Sequence, residues 1–322
     1  MAVYTKLSKN QLEDFFSKYN LGQLITFKEI KEGIENTNYF IQTKNGKFIL
    51  TVYEKRVDEK DLPFFMSLMR NLYDKNFPSP EPIINKNGNY ISDILNKKAA
   101  VVSFLNGFSK KKLTPNDCYE VGVHAAKLHI ITKDLTGKRE NKLSINSWRK
   151  IYNKVKKDCS RIHPNLTGVI EKNLDEIEKN WPQNIPSGII HADLFPDNIF
   201  FEGKHLSGII DFYFSCNDFY AFEIAVCLNA LCFEGENENL SFNVTKAKRF
   251  IDGYSSKRKL TDDEKKYFKI LCQGAALRFL LTRVFDYLNL TQGAIVKIKD
   301  PIEYLKRLEF HNNVNDYKDY FF

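Results

Sequence analysis

The chain has 322 residues, of which 43% are hydrophobic and 27% are charged, a balance that is ordinary for a folded protein with one large core or two smaller ones. Its net charge is +8, but the basic residues are scattered, so we expect a solvated surface and no nucleic-acid-binding face. No apolar stretch reaches membrane-spanning length, the six cysteines lack C-x-x-C or zinc-type spacing, and no secretion-type segment is visible, which together predict a reduced, cytoplasmic setting.

The first hundred residues have the pattern of a small β-rich unit. Ser8 and Gln11 form a capping box ahead of an amphipathic segment, which predicts a short first helix. A second helix is predicted over 61–73, with Pro63 tolerated in its first turn. Alternating hydrophobicity and an Asn-Gly turn predict strands at residues 24–30, 38–43, 47–53, 89–91 and 99–104.

From Thr114 onward the pattern becomes mainly helical. Thr114 followed by Pro115 is typical of a helix start, and Thr261 with Glu264 forms another capping box. Helices are therefore predicted over 115–129, 148–156, 166–179 and 222–232, with a long one from Thr261. We expect an α+β protein of two lobes, with residues 1–104 carrying the antiparallel sheet and residues 105–322 mainly helical.

One predicted hairpin in the second lobe carries polar residues at both of its ends. His191–Asn198 reads His-Ala-Asp-Leu-Phe-Pro-Asp-Asn, and Asp211 follows a second apolar strand. A hairpin of this length returns Asp211 to the side of Asn198, where an amide and a carboxylate oxygen suit Mg²⁺. Asp193 is then placed to accept a proton from an attacking hydroxyl. The pattern predicts a phosphoryl-transfer site, although three fixed positions alone also recur by chance.

With these residues in view, the chain resembles a known family. It is similar to the homoserine kinases of the aminoglycoside-phosphotransferase-like branch of the protein-kinase fold, nearly from end to end. The segments that carry the resemblance are 32–39, 48–54, 61–65, 191–201, 216–219 and 276–283. The resemblance implies a two-lobed kinase-like fold, ATP and Mg²⁺ as cofactors, and L-homoserine as the phosphate acceptor in threonine biosynthesis.

The resemblance also implies roles for individual residues. Asp193 is the base, His191 supports its loop, and Asn198 and Asp211 are the Mg²⁺ ligands. Adenine is expected at backbone groups near Ser103 and Leu105, and the phosphates near Asn36, Thr37, Asn38 and Thr51. Two positions depart from protein kinases, since Thr51 stands where a lysine holds the phosphates and Tyr213 stands at the glycine after the metal-binding Asp.

The acceptor pocket is predicted from the chemistry of homoserine. Its carboxylate would pair with Arg278 or Arg283, and its ammonium with Asp218 or Glu223. Each of these four residues could instead cap a helix or brace the catalytic loop. Glu223 in particular could accept hydrogen bonds from the loop backbone.

Two other functions remain open at the level of sequence. The same chemistry could act on another small alcohol, such as choline, methylthioribose or an aminoglycoside, although Arg278 and Arg283 favour an anionic acceptor. The chain could also be a retired kinase fold that only binds partners. A kinase fold that has lost its activity has usually lost the catalytic base or a metal ligand. The predicted base Asp193 and the predicted metal ligands Asn198 and Asp211 are all present.

Overall fold

A computed structural model describes residues 4–30, 36–54, 57–235, 239–289 and 299–321. The N-terminal part is built on a six-stranded antiparallel sheet in the order β1-β2-β3-β6-β4, with β5 paired to β6. Its strands are β1 (Leu24–Ile30), β2 (Thr37–Thr43), β3 (Gly46–Val52), β4 (Pro82–Ile83), β5 (Ile91–Ile94) and β6 (Lys97–Ser103). The predicted hairpin is present, with Thr43 opposite Gly46 at its turn.

Two helices flank this sheet and belong to different cores. Helix α1 (Lys9–Ser17) begins at the predicted Ser8–Gln11 capping box and buries Leu12, Phe15 and Phe16 in a core with the sheet. Helix α2 (Leu62–Asp74) instead packs its buried face into the large core of the second part. Because α2 shares that core, it links the sheet to the catalytic half of the molecule.

The second part is mainly helical, with short strand pairs around the predicted catalytic loop. Its helices are α3 (Pro115–Ile131), α4 (Ile145–Val155), α5 (Leu166–Asn180), α6 (Tyr220–Leu231), α7 (Val244–Ser255), α8 (Asp262–Lys266), α9 (Phe268–Leu288) and α10 (Ile302–Asn313). Its strands are β7 (Phe108–Ser109), β8 (Ser187–Ile190), β9 (Ile199–Glu202), β10 (His205–Ile209), β11 (Cys216–Phe219), β12 (Phe233–Glu234) and β13 (Ser241–Phe242). Helix α9 is buried on most of its faces and packs against α4, α5, α6 and α10.

The structure departs from the predicted helices in two respects. The helix predicted to run on from Thr261 is divided at Tyr267, whose ψ of 3° lies outside the α-helical range, although the Thr261–Glu264 capping box is present. Helices α7 and α10 had not been predicted; α7 begins at an Asn243 cap, and α10 follows Pro301. In the part of the chain that the structure describes, no helix is both long and apolar enough to cross a membrane.

Candidate active site

The predicted catalytic loop connects β8 to β9 and is held by a buried histidine. His191 is fully buried, and its Nε2 lies 2.9 Å from the carbonyl oxygen of Ile210. Its Nδ1 accepts a hydrogen bond from the Asp193 amide at 3.3 Å, so Nε2 carries the proton. Burial lowers the pKa of His191 to about 4, because desolvation disfavours the imidazolium. The neutral ring therefore joins the start of the loop to the strand that leads to Asp211.

A buried carboxylate on α6 braces the same loop. Glu223 is fully buried and accepts hydrogen bonds from the backbone amides of His191 and, at 3.1 Å, Ala192. Ala192 has a φ of 64°, which is costly for a residue with a Cβ and has to be held by its surroundings. Burial raises the pKa of Glu223 to about 7, while its two backbone donors and Arg278 act in the opposite direction. These contacts correspond to the loop-bracing alternative for Glu223.

Asp193, Asn198 and Asp211 lie at the mouth of this hairpin. The side-chain amide of Asn198 donates to the Asp193 carbonyl at 2.8 Å and to its carboxylate at 3.3 Å. The Ile210 amide donates to the Asn198 carbonyl at 3.0 Å, which places Asp211 beside Asn198 as the hairpin length predicted. Burial raises the pKa of Asp193, while the charges of Arg278 and Lys299 act against this.

The donor set fits a magnesium ion that is shared with a phosphorylated ligand. Asn198 uses its amide nitrogen within the loop, so its amide oxygen is the atom left for a cation, beside the carboxylate of Asp211. Among the described residues, no group of three or more His, Cys, Asp or Glu side chains could hold a metal ion alone. Mg²⁺ commonly takes one or two protein oxygens together with phosphates and water, so this sparse set suits it.

The residues predicted to contact adenine lie at the end of β6, beside the catalytic hairpin. The Ser103 amide donates to the Glu81 carbonyl at 2.9 Å, and the Ser103 hydroxyl accepts from the Glu81 amide at 2.9 Å. Leu105 packs on Gly208 of β10, where a Cβ would come within 2.8 Å of the Leu105 Cδ1. Glycine at 208 therefore lets the connection between the lobes approach the hairpin closely.

The polar residues predicted to contact phosphate hold β2 and β3 together. The Asn36 side chain accepts from the Glu54 amide at 3.2 Å, and the Thr37 hydroxyl donates to the Glu54 carboxylate at 2.8 Å. The Thr51 hydroxyl donates to the Asn38 side chain at 2.8 Å. Residues 31–35, which precede these side chains, lie outside the described residues. Phosphate contact by these four side chains stays a prediction.

Sequence reasoning missed a pair of hydrogen-bonded hydroxyls beside Asp211. The Tyr53 hydroxyl of the small lobe donates to the Tyr213 hydroxyl at 3.1 Å. Burial raises the pKa of Tyr213 to about 12, so its hydroxyl is neutral. Tyr213 and Tyr53 pack edge to face, with ring centroids 5.3 Å apart. The large residue at the kinase glycine position therefore joins β3 to the segment after Asp211.

The two predicted acceptor arginines occupy different environments. Arg278 is buried next to the catalytic loop and donates to the Ala192 carbonyl at 2.8 Å, while its Nε has no hydrogen-bond partner among the described residues. Arg283 donates to the Glu303 carboxylate and to the Asp300 carbonyl, both at 2.8 Å. Of the two arginines, Arg278 is the one beside the catalytic loop, and acceptor binding by either stays a prediction.

Asp218 lies on β11 and is paired with a residue that sequence reasoning missed. Its carboxylate accepts from the Asn141 side chain at 2.6 Å and from the Phe219 amide at 2.7 Å. Burial raises the pKa of Asp218, and these two donors and Arg278 oppose the rise. Asn141 belongs to the polar segment 133–148, which has the composition of a surface connection and gives no sign of this contact.

The same segment also joins α2 to the loop after Asp211. Arg139 donates to the Asp61 carboxylate at 2.7 Å and to the Ser215 carbonyl at 3.0 Å. Its own carbonyl accepts from the Asn217 amide at 2.7 Å, so the segment runs along β11. Arg139 is mostly buried and stacks on Phe65, with its guanidinium carbon 5.0 Å from the ring centroid. It therefore connects the small-lobe helix with the site's rim.

The family of the chain follows from a match that covers most of its length. A family model described as a phosphotransferase enzyme family matches residues 26–256. The chain belongs to this phosphotransferase family. A homoserine kinase of Xanthobacter autotrophicus is 47% identical over 320 residues, covering 99% of this chain and 99% of that protein. A homoserine kinase of Nitrobacter hamburgensis is 44% identical over 320 residues, covering 99% and 97%.

Solved structures share the fold at much lower identity. An amicoumacin kinase in complex with AMP-PNP and Ca²⁺ has a TM-score of 0.72 and 14% identity, and the match covers 97% of each chain. A spectinomycin phosphotransferase in complex with ADP has a TM-score of 0.68 and 14% identity, covering 98% of each chain. These likenesses confirm the predicted α+β, two-lobed kinase-like fold.

Proposed function

We propose that this protein is a homoserine kinase, which transfers the γ-phosphoryl group of ATP to the side-chain hydroxyl of L-homoserine and forms O-phospho-L-homoserine. The observation that carries this proposal is identity of 43–47% with homoserine kinases over 99% of the chain. The reaction belongs to threonine biosynthesis, and we place it in the cytoplasm.

The catalytic roles are assigned to the hairpin residues. Asp193 accepts the hydroxyl proton, and the neutral His191 together with Glu223 holds the loop that presents it. Asn198 and Asp211 would hold Mg²⁺ through one amide and one carboxylate oxygen. When bound, the ion offsets charge on the nucleotide phosphates. Support comes from the hairpin, in which the Asn198 amide nitrogen donates to Asp193 and the Asn198 carbonyl accepts from Ile210, the residue before Asp211.

The nucleotide is assigned to the cleft between the lobes. Residues 1–104 would form the nucleotide-binding lobe, and residues 105–322 would carry the catalytic loop and the acceptor site. Backbone groups near Ser103 and Leu105 would bind adenine, since Leu105 lies against the hairpin strand that leads to Asp211. Asn36, Thr37, Asn38 and Thr51 would shape the phosphate end of the cleft through their bonds between β2 and β3.

The acceptor's charged groups are assigned to Arg278 and Asp218. A carboxylate suits the planar guanidinium of Arg278, whose unpartnered Nε is costly when buried and would be relieved by an incoming anion. Asp218, held by Asn141, would receive the ammonium. Arg283 is excluded from this role because its guanidinium is already paired with Glu303.

An ATP-consumption assay against a panel of alcohols tests the proposal. L-homoserine, choline, methylthioribose and kanamycin would be compared at equal concentration, with product formation confirmed by phosphorus NMR. We expect homoserine to exceed the other three by at least ten-fold in kcat/KM. A preference for any other member of the panel would overturn the substrate assignment, and inactivity with all four would overturn the proposed function.

A further inference from the structure

A lysine outside the predicted site residues lies over the catalytic loop. The Nζ of Lys299 is 5.0 Å from the ring centroid of Phe195, which is two positions after Asp193 in the loop. The Phe195 ring packs edge to face on Phe279, with centroids 5.0 Å apart. Arg278 lies over that second ring, with its guanidinium carbon 4.2 Å from the centroid. Two cations therefore contact one aromatic pair beside the base.

The backbone next to Lys299 is fixed, whereas its side chain is exposed. The Asp300 carbonyl accepts from Arg283 at 2.8 Å, and the Asp300 carboxylate accepts from the Ile302 amide at 2.8 Å. Among the residues that the structure describes, no carboxylate forms an ion pair with Lys299. Arg283, which is not available for the acceptor, thus anchors the segment that presents Lys299 to the loop. An ammonium that is held beside the loop and forms no ion pair with the described residues is available to an anionic ligand.

The two cations suit different anions. A guanidinium presents a planar pair of donors that matches a carboxylate, whereas an ammonium is a compact point charge that accepts many approach directions. Arg278 is buried and directional, whereas Lys299 is exposed and carries its charge at the end of a long side chain. The charge of Lys299 also acts on Asp193, so it lies within electrostatic range of the atom to which the acceptor hydroxyl is presented. The phosphoryl group must come within bonding distance of that hydroxyl.

We infer that Lys299 contacts the transferring phosphoryl group and offsets its charge in the transition state, an inference that rests on the proposed kinase function. The acceptor oxygen forms a bond to the γ-phosphorus, and the bond from that phosphorus to the β,γ-bridging oxygen breaks. ADP leaves with the electron pair of the broken bond, and the hydroxyl proton passes to Asp193. Lys299 keeps its proton throughout and contributes charge alone.

Three variants test this role. Lys299→Met removes the charge and keeps the length of the side chain, and Lys299→Arg keeps the charge. The matched control is Lys266→Met, because Lys266 is also exposed and also lies over a ring, 5.1 Å from the centroid of Tyr267, on α8 outside the site. Steady-state kcat and KM for homoserine and for ATP would be measured for each, with melting temperatures to confirm folding.

The inference predicts a loss in kcat and little change in binding. Lys299→Met should lower kcat about 100-fold, as the loss of one preorganised charge donor does in other enzymes, with the homoserine KM within about three-fold of wild type. Lys299→Arg should recover at least a tenth of wild-type kcat, and Lys266→Met should match wild type. A raised homoserine KM with kcat preserved would mean that Lys299 binds the carboxylate, and unchanged kinetics would mean no role; either result overturns the inference.

Failure of the proposed function could be distinguished from failure of the inference about Lys299. If the wild-type protein did not use homoserine but phosphorylated another alcohol of the panel, the substrate assignment would fail. The same three variants would then be assayed with that alcohol, and a kcat loss confined to Lys299→Met would still support the inference.

Discussion

The Tyr53 hydroxyl donates a hydrogen bond to the Tyr213 hydroxyl at 3.1 Å, across the boundary between the small lobe and the segment that follows Asp211. Thr51, which stands where the resemblance to kinases puts the phosphate-binding lysine, lies two positions before Tyr53 and donates to Asn38 at 2.8 Å. A hydrogen bond between two neutral hydroxyls thus joins the end of β3 to the segment that follows Asp211.

Replacing Tyr213 with Phe should weaken the connection between the end of β3 and the segment that follows Asp211. The variant keeps the ring contacts but loses a hydroxyl that accepts a hydrogen bond from Tyr53, at a cost of about 1 kcal/mol. We expect KM for MgATP to rise roughly five-fold, which corresponds to that energy, with the homoserine KM unchanged. Tyr53→Phe removes the same hydrogen bond from its donor side, so it should raise KM for MgATP by a similar factor. Equal MgATP kinetics in wild type and Tyr213→Phe would show that the Tyr53–Tyr213 hydrogen bond does not support MgATP binding.

Asp211→Asn tests the metal assignment. The amide is isosteric with the carboxylate but carries no charge, so it should abolish turnover while the melting temperature stays close to that of wild type. Activity would be measured across a Mg²⁺ titration, because a weakened site should need far more metal. Asp197→Asn, in the same loop but outside the assigned site, is the control. Near-wild-type turnover by folded Asp211→Asn would remove Asp211 from the site.

Asp193→Asn tests whether Asp193 acts as the catalytic base and has no part in nucleotide binding. The carboxylate acts on the acceptor hydroxyl, so its loss should lower kcat by about 100-fold or more and leave the dissociation constant for ATP nearly unchanged. Isothermal titration with a non-hydrolysable ATP analogue measures the second quantity directly. Weakened analogue binding with kcat preserved would reverse the role assigned here.

Substitutions of Arg278 and Arg283 should have different effects, the first on acceptor preference and the second on stability. Arg278→Gln should lower the preference for homoserine over its methyl ester, because the ester lacks the charge that the guanidinium recognises; a loss of about 1.5–3 kcal/mol is expected. Arg283→Gln should leave that preference intact and instead lower the melting temperature, since its partners are Glu303 and Asp300. The ester-to-acid ratio of kcat/KM is the decisive readout. If wild type used both equally, the carboxylate assignment would be wrong.

Local features of the fold could be predicted because they depend on neighbours in sequence. The capping residues Ser8, Thr114 and Thr261 begin helices in the structure, since each cap bonds a backbone group three positions away. The hairpin of β2 and β3 was predicted from Asn45-Gly46 for the same reason, although its two turn residues are Lys44 and Asn45, since Gly46 pairs with Thr43 in the ladder. The His191–Asn198 loop was found because its chemistry requires fixed spacing.

Contacts between distant segments could not be predicted in this way. Asn141 pairs with Asp218, and Arg139 with Asp61, across more than seventy residues of sequence. Nothing in the polar segment 133–148 distinguishes these side chains from solvated ones. Lys299 was missed for the same reason, because only the tertiary fold brings it over Phe195. Composition describes a segment's average exposure, whereas a site depends on which side chains lie on its inner face.

Acid should weaken the fold through a buried histidine remote from the site. His311 is fully buried, with Nδ1 3.1 Å from the Tyr320 hydroxyl and Nε2 3.1 Å from the Asn229 side-chain oxygen. Burial, and then the charge of Arg307, lower the pKa of His311 from 6.5 to about 3. The unfolded chain therefore binds a proton below about pH 6.5 that the folded protein does not bind until about pH 3.

The free energy of unfolding should consequently fall as pH drops through this window. At pH 5.0 the contribution of His311 is about 2 kcal/mol, from 1.36 kcal/mol for each pH unit below 6.5. His311→Gln cannot titrate, so it should be less stable than wild type at pH 7.5 but lose about 2 kcal/mol less on going to pH 5.0. Urea unfolding at both pH values and equal ionic strength measures the difference. Parallel losses in the two proteins would show that His311 is not the residue that resists protonation.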